Sequence, residues 1–304
     1  PRQELAAFQV VKSLEAALIL DIESGRVGPN ALPNYGGRAN DSEEQGAEDL
    51  REAGPQEIPG RTVSLVAAYD RYVEMGLNSD EDPTTQGRFA YLAAKVFFDH
   101  RQLEEARIRL NAILENPVYR AQNEAILAAS LLIDSYRMEG DFANMEATAN
   151  RIASLDFGGE DIDATLLTEA LEEAEYMALG AAFLNANELF QAEDYDNAAQ
   201  EFVRVVNQDP QSEFAAAALN NAAVAYERIQ RYEPAMRMYR RVVTDYPDCE
   251  FVNDALQRVA FNSRRFFDFE SATATYLELS GRPDVEEEMA INALFMAAEL
   301  QEYG

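Results

Sequence analysis

The sequence predicts an all-α protein in which antiparallel helix pairs stack into an α-solenoid, and three observations predict it. Apolar residues recur at three- and four-residue steps, the spacing of one helix face, in most parts of the chain. A pattern of small and aromatic residues returns in units that begin at 179, 216 and 253, a spacing of 37 residues in each step. A fixed period of this length is typical of helix–turn–helix repeats. Prolines such as Pro210 and Pro247 then stop the units.

The unit that defines the pattern runs from Ala216 to Pro247. Its small and aromatic positions share one face of each helix, with a tyrosine in the turn: Leu219, Ala222, Ala223 and Tyr226, then Tyr232, then Ala235, Tyr239 and Val242. The alanines let two antiparallel helices approach closely, and the tyrosine rings fill the space beside them. We therefore predict a continuous apolar seam through the stacked pairs.

The same residue classes recur on either side of this unit. Upstream they are Ala182, Ala186, Leu189, Tyr195, Ala198, Phe202 and Val205. Downstream they are Leu256, Val259, Ala260, Phe269, Ala272, Tyr276 and Leu279. One further step leads to 290, where Ala293, Met296, Ala297 and Leu300 match a first helix. The chain stops at Tyr303 and Gly304, where a turn is expected, so we expect a fragment of a longer array or a capping last helix.

Four segments are predicted along the chain. Residues 1–24 form an amphipathic helix whose apolar positions are Leu5, Phe8, Val11, Leu14, Leu18 and Ile22. Residues 25–60 are rich in glycine, proline and acid, and we expect a loop or linker, or a segment that folds across the array or onto a partner. Residues 61–157 form an N-terminal sub-array, and residues 158–304 form a C-terminal sub-array with an incomplete last repeat.

The N-terminal sub-array is less regular than the C-terminal one. Residues 62–77 match a second helix through Leu65, Tyr69 and Tyr72, and residues 87–117 and 126–153 match helix pairs. Residues 156–163, rich in glycine and aspartate, break the pattern. After the break we expect either one long helix to about Gln191 or a bend near Gly180.

Composition and charge exclude several classes of function. The formal net charge of −30 repels phosphate backbones and anionic lipid, so we expect no nucleic-acid partner. No apolar run approaches the roughly 20 residues that span a bilayer. His100 and Cys249 are the only residues of their types, so no intrachain disulfide and no multi-histidine or multi-cysteine metal site is expected. We expect His100 to be a solvated turn residue and Cys249 a small filler. The sequence therefore predicts no catalytic residues, no cofactor and no metal.

The unit from Ala216 to Pro247 resembles the tetratricopeptide repeat, in which large–Leu–Gly/Ala–Tyr is followed by Ala–Phe/Tyr–Ala and then Pro. The resemblance covers about residues 61–304 and implies a right-handed superhelix. The 37-residue spacing and the turn form Tyr246-Pro247-Asp248 with Asp254-Ala255-Leu256 resemble one bacterial branch of the family. That branch includes envelope lipoproteins of outer-membrane assembly, cell-division coordinators and gliding-motility complexes. It implies a periplasmic or cell-envelope location, with the cytoplasm as the alternative.

In tetratricopeptide arrays the first helices line a concave groove, and this implies a partner-binding site here. The matching positions are Phe183, Asn187, Phe190, Asn220, Glu227, Arg228, Gln257, Phe261, Arg264 and Arg265. Arg228, Arg264 and Arg265 would form a positive pocket with aromatic walls, or else pair with neighbouring glutamates. Family members that bind chaperone C-termini use two lysines, where this chain has Phe183 and Asp254. We therefore do not expect that specificity.

The resemblance implies a non-enzymatic scaffold that binds protein partners within a multiprotein hetero-complex. One alternative is a structural subunit that packs through its convex face and its ends, which the run Phe266-Phe267 favours. The other is the non-catalytic part of a longer enzyme or regulator.

Overall fold

The computed structural model describes residues 2–34, 54–77, 82–159 and 162–302, and every regular element in these ranges is helical. Fourteen α-helices lie in them, together with a short 3-10 helix at Pro29–Ala31. They are α1 (Arg2–Glu23), α2 (Gly60–Glu74), α3 (Thr85–Asp99), α4 (Leu103–Glu115), α5 (Pro117–Arg120), α6 (Asn123–Glu139), α7 (Phe142–Ala153), α8 (Ala164–Gln191), α9 (Tyr195–Gln208), α10 (Ala215–Arg228), α11 (Tyr232–Asp245), α12 (Val252–Arg265), α13 (Phe269–Ser280) and α14 (Glu287–Gln301). The chain divides into two compact units, Pro1–Ala178 and Leu179–Gly304. The predicted all-α class is confirmed.

In the first unit each long helix packs against the next one in sequence, from α1 on α2 to α6 on α7. Tyr69 and Tyr72 of α2 are buried as predicted, and both rings lie 4.9 Å from the ring of Phe89 on α3. On α1 the predicted apolar face is only partly correct, because Val11 and Leu18 are buried whereas Leu5 is 58% exposed. The amphipathic helix is therefore held mainly by its middle and its C-terminal half.

In the second unit the consecutive helices from α9 to α14 pack in the same way. The predicted seam is confirmed, because Ala222, Ala223 and Ala235 are completely buried between α10 and α11. Phe202 on α9 and Tyr239 on α11 fill the adjacent space. Small residues at matching positions thus let neighbouring backbones approach, while one large ring per pair completes the packing.

The 37-residue repeat is also visible in the backbone. Glu193, Gln230 and Phe267, which are 37 residues apart, have φ angles of 63°, 60° and 60° in the turns before α9, α11 and α13. In each turn the next N–H donates a hydrogen bond to a carbonyl of the preceding helix, over 2.9, 2.8 and 3.0 Å. This is the six-residue closure of a Schellman motif. The repeat therefore fixes the turn geometry as well as the apolar face.

After the break, α8 continues without interruption for 28 residues. This confirms the first of the two predicted alternatives, a single long helix, and Gly180 lies inside it. The predicted linker falls largely at residues 35–53, which lie outside the described residues, as do residues 160 and 161 of the break. At the edges of the linker, Thr62 donates a hydrogen bond to Ala31 O over 2.7 Å.

The prediction of a solvated His100 is wrong. His100 is only 2% exposed and follows α3, with Nδ1 2.8 Å from Val96 O. Its own carbonyl accepts a hydrogen bond from the N–H of Gln56 over 2.8 Å, and Gln102 Nε2 donates to Gln56 O over 3.1 Å. The segment around Gln56 thus lies along the end of α3. Cys249 is half-buried against the core of the second unit, as expected for a small filler.

Candidate partner-binding face

The predicted groove residues lie on three helices of the second unit: the last turns of α8, then α10 and α12. Five of them are half-buried, namely Phe183, Asn187, Phe190, Asn220 and Glu227. The other five are exposed, namely Arg228, Gln257, Phe261, Arg264 and Arg265. Exposure therefore increases along the chain, and the accessible charge is concentrated on α12 and at the end of α10.

The two phenylalanines on α8 pack within the unit. The ring of Phe183 lies 5.6 Å from Phe202 and 5.5 Å from Phe214. Phe190 meets Tyr195 edge-on at 5.1 Å across the turn before α9. These two rings of α8 stabilise the first pair of the unit, and each remains only half-buried.

Glu227 is bound by its own chain. Its Oε1 accepts a hydrogen bond from Asn262 Nδ2 over 2.8 Å, and its Oε2 accepts one from the hydroxyl of Tyr239 over 3.2 Å. Arg258 Nη1 lies 3.5 Å from the same Oε2. Burial raises the pKa of Tyr239 above its ordinary value, and the neighbouring Glu227 carboxylate raises it further. Glu227 thus connects α10, α11 and α12.

The two arginines at the end of α12, Arg264 and Arg265, contact a sulfur atom and aromatic rings respectively. The guanidinium carbon of Arg265 is 4.4 Å from the ring centre of Tyr232 and 5.9 Å from that of Phe261. Arg264 Nη1 lies 3.8 Å from the sulfur of Met296. Neither arginine forms an ion pair with a carboxylate among the described residues. Both positive charges are therefore held at the surface by ring and sulfur contacts, with their carboxylate-binding capacity unused.

The remaining predicted residues are not brought together by side-chain bonds. Arg228 forms no ion pair with the described part of the chain. Within the same part, the side chains of Asn187, Asn220 and Gln257 form no hydrogen bond. These side chains therefore contribute no hydrogen bond or ion pair to the described part of the fold.

The set predicted for the site did not include the most exposed aromatic residue beside it. Phe267 is 80% exposed and has the left-handed φ of 60° that Glu193 and Gln230 have in the preceding turns. Phe266 is also about half exposed, and its ring lies 6.2 Å from Tyr232. Alignment at 37 residues would have revealed the anomaly, because polar residues hold this position in the two earlier repeats.

A cleft of about 540 Å³ lies in the first unit between α1, α2 and α3. Its charged and polar lining groups bind one another: Lys12 Nζ is 2.8 Å from one oxygen of Glu15, and Tyr69 donates to the other oxygen over 3.0 Å. Arg88 Nη2 lies 3.0 Å from Asp82. Because these charges are already compensated, the cleft offers a ligand less electrostatic attraction than Arg264 and Arg265 do.

The described ranges contain neither a cluster that could hold a metal ion nor a helix that could cross a membrane. No three histidine, cysteine, aspartate or glutamate side chains are grouped so that they could hold a metal ion. No helix there has the length and apolar character to cross a membrane.

Comparison with known proteins identifies one repeat directly. Residues 217–248, which span α10, α11 and the turn after them, match the family model described as tetratricopeptide repeat. This helix pair is therefore of the tetratricopeptide kind, as its residue pattern predicted. None of the curated proteins compared with the chain matches it.

Several solved structures are similar at low identity. The TPR2AB domain of yeast Sti1 in its pHSP90 complex is 16% identical, with 78% of this chain and 92% of that chain covered and a TM-score of 0.33. The TPR domain of P58(IPK) is 16% identical, with 84% and 66% covered and a TM-score of 0.34. The apo form of RapI is 10% identical, with 79% and 70% covered and a TM-score of 0.32.

Proposed function

We propose that this chain is a non-enzymatic scaffold that holds a segment or subunit of a protein partner on the first helices of its second unit. The observation that carries the proposal is the pair Arg264 and Arg265, which have no carboxylate partner among the described residues of a chain of net charge −30. Exposed Phe261 lies beside them. Arginine and aromatic residues dominate the binding energy of protein interfaces, so this combination favours partner binding.

The proposal extends to the setting of the complex. The tetratricopeptide character of α10 and α11 supports a role in protein–protein interaction. The resemblance of the Tyr246-Pro247-Asp248 turn and the 37-residue spacing to the bacterial envelope branch supports a cell-envelope complex. Because fold analogy alone does not determine function, the partner has to be identified from binding.

Affinity capture from the native source with a double Arg264→Ala, Arg265→Ala variant tests the proposal. Each lost charge-assisted hydrogen bond removes about 1.5–3 kcal/mol, so partner affinity should fall at least about tenfold. Helicity should not change, because both side chains are exposed. The matched control is Arg71→Ala, Arg237→Ala, which removes the same charge from exposed positions on α2 and α11. Partner capture by the α12 variant at the wild-type level would contradict the proposal.

A second candidate function is a structural subunit that packs through its last helix. Ile291, Leu294 and Phe295 of α14 are each more than half exposed and share the face opposite to buried Ala293 and Ala297. A helix that is apolar on both faces favours burial against a neighbour. In the same capture experiment, a Leu294→Asp, Phe295→Asp variant separates the two functions, because it should lose partners only if α14 is the contact.

A further inference from the structure

Phe267 occupies a position that disfavours it for two independent reasons. A bulky side chain with a positive φ is rare, because the Cβ atom is crowded in the left-handed region. The side chain is also 80% exposed, so its apolar surface gains little from the fold. The ring of Phe267 meets the ring of Phe269 edge-on, with 6.1 Å between the ring centres. Arg101, Glu193 and Gln230, the other non-glycine residues with positive φ among the described residues, are polar or charged.

Arg265 and Phe266, which directly precede Phe267 in the chain, lie close to one common ring. Tyr232 connects them, since its ring lies 4.4 Å from the guanidinium carbon of Arg265 and 6.2 Å from the ring of Phe266. Phe266 and Phe267 then lead into the turn before α13. We call this set the aromatic–arginine surface; it consists of Tyr232, Phe261, Arg264, Arg265, Phe266 and Phe267.

The local charge of this surface is opposite to that of the molecule. The chain has 55 acidic and 25 basic residues, yet Arg264 and Arg265 are adjacent and have no carboxylate within ion-pair distance in the described ranges. The nearby Asp268 is occupied as the N-cap of α13, where its carboxylate accepts a hydrogen bond from Ser271 N over 3.1 Å. Hydrogen bonding to Ser271 holds the pKa of Asp268 below its ordinary value.

We infer that the aromatic–arginine surface binds an acidic peptide segment that carries an aromatic or other large apolar side chain. The guanidinium groups would receive carboxylates of the segment, and Phe267 with Phe266 would receive its apolar anchor. A second copy of this chain fits less well, because two molecules of charge −30 repel each other. The inference rests on the proposed function and specifies the chemistry of the partner segment.

Selection from a displayed library of random peptides on the immobilised whole chain tests this inference. The expected outcome is enrichment of sequences in which an aromatic residue is flanked by aspartate or glutamate. Binding of the enriched peptides should fall at least tenfold with Arg264→Glu, Arg265→Glu and also with Phe267→Gly. It should weaken as salt is raised, because part of the attraction is screened.

Two controls distinguish a loss of binding at this surface from unfolding and from a general change in charge. Phe267→Gly should leave the melting temperature unchanged or raise it, because glycine adopts a positive φ without strain, so lost binding cannot be attributed to unfolding. Arg71→Glu, Arg237→Glu reverses the same number of charges at exposed positions on α2 and α11 and should leave binding unchanged.

Besides the failure to enrich any peptide, three results would overturn the inference. They are enrichment of basic or neutral peptides, acidic peptides that bind the charge-reversed variant equally well, and a dimer in sedimentation that the charge reversal dissociates. If no peptide is enriched while a native protein still binds through Arg264 and Arg265, the acidic-segment inference fails and the scaffold function stands. If native capture also fails to depend on these arginines, the proposed function fails.

Discussion

Replacement of Lys95 by alanine is expected to lower the free energy of unfolding by about 3–5 kcal/mol, the cost of removing one partner of a buried ion pair. Lys95 on α3 is only 3% exposed, and its Nζ lies 2.7 and 2.9 Å from the two oxygens of Asp99. Desolvation raises the pKa of Asp99, whereas Lys95 acts to lower it. Without the ammonium group the carboxylate has to remain buried without its partner or take up a proton.

Chemical denaturation followed by circular dichroism measures this effect, and the chain offers a matched control. Lys12, the only other lysine, has a half-exposed side chain and lies 2.8 Å from Glu15. Lys12→Ala should therefore lower the free energy of unfolding by less than about 1 kcal/mol. The double variant Lys95→Met, Asp99→Leu should recover most of the lost stability, because a buried pair replaced by apolar residues costs little. A cost below about 1 kcal/mol for Lys95→Ala would contradict the burial of this pair.

Replacement of Tyr239 by alanine is expected to lower the free energy of unfolding of the second unit by about 3–5 kcal/mol, the range for buried aromatic residues. Tyr239 is 1% exposed in the seam of α11 and also donates to Glu227. Tyr239→Phe keeps the ring and removes the hydroxyl, so it should cost only about 1.5–3 kcal/mol. Tyr246→Phe serves as the control, because its hydroxyl bonds to Pro210 O at an exposed site and should contribute less.

Because of Tyr239, we also expect the free energy of unfolding to depend on pH in the alkaline range. The pKa of Tyr239 is raised in the folded state, first by desolvation and then by Glu227. The folded chain therefore binds this proton more tightly than the unfolded chain does. The stabilisation is fully present below pH of about 10, the ordinary tyrosine pKa, and is lost as pH rises beyond it. Tyr239→Phe should flatten the decline of unfolding free energy above pH of about 10; an unchanged decline would contradict this origin.

The sequence predicted those parts of the fold that depend on local spacing. Ala222, Ala223 and Ala235 are buried as expected, because a helix face is determined by residues three and four apart. The long α8 was one of two stated alternatives, since neither proline nor a cap interrupts residues 164–191. What the sequence could not show is contact between distant segments. His100 is buried where its carbonyl accepts a hydrogen bond from Gln56, more than forty residues away.

In the candidate site, too, the features that depend on local spacing were predicted and the contacts between helices were not. Phe261, Arg264 and Arg265 are exposed on α12 at positions that the resemblance to the tetratricopeptide repeat assigned to a groove. The bonds of Glu227 to Tyr239 and Asn262 were not predicted, because they join three helices and depend on side-chain rotamers. The left-handed φ of Phe267 becomes known only when the turn is folded, whereas its apolar side chain already differs in the sequence from Glu193 and Gln230 at the same repeat position.

The most direct test of the partner-binding face is photo-crosslinking from single positions in the native cell. A photoreactive phenylalanine analogue at Phe261 should crosslink one or a few defined proteins, because this ring is exposed beside Arg265. The same analogue at Ile108 on α4, which is 60% exposed in the first unit, should not crosslink them. The account predicts crosslinks at 261 that disappear when Arg264 and Arg265 are changed to glutamate. Equal crosslinking at 261 and 108, or products that persist after the charge reversal, would contradict it.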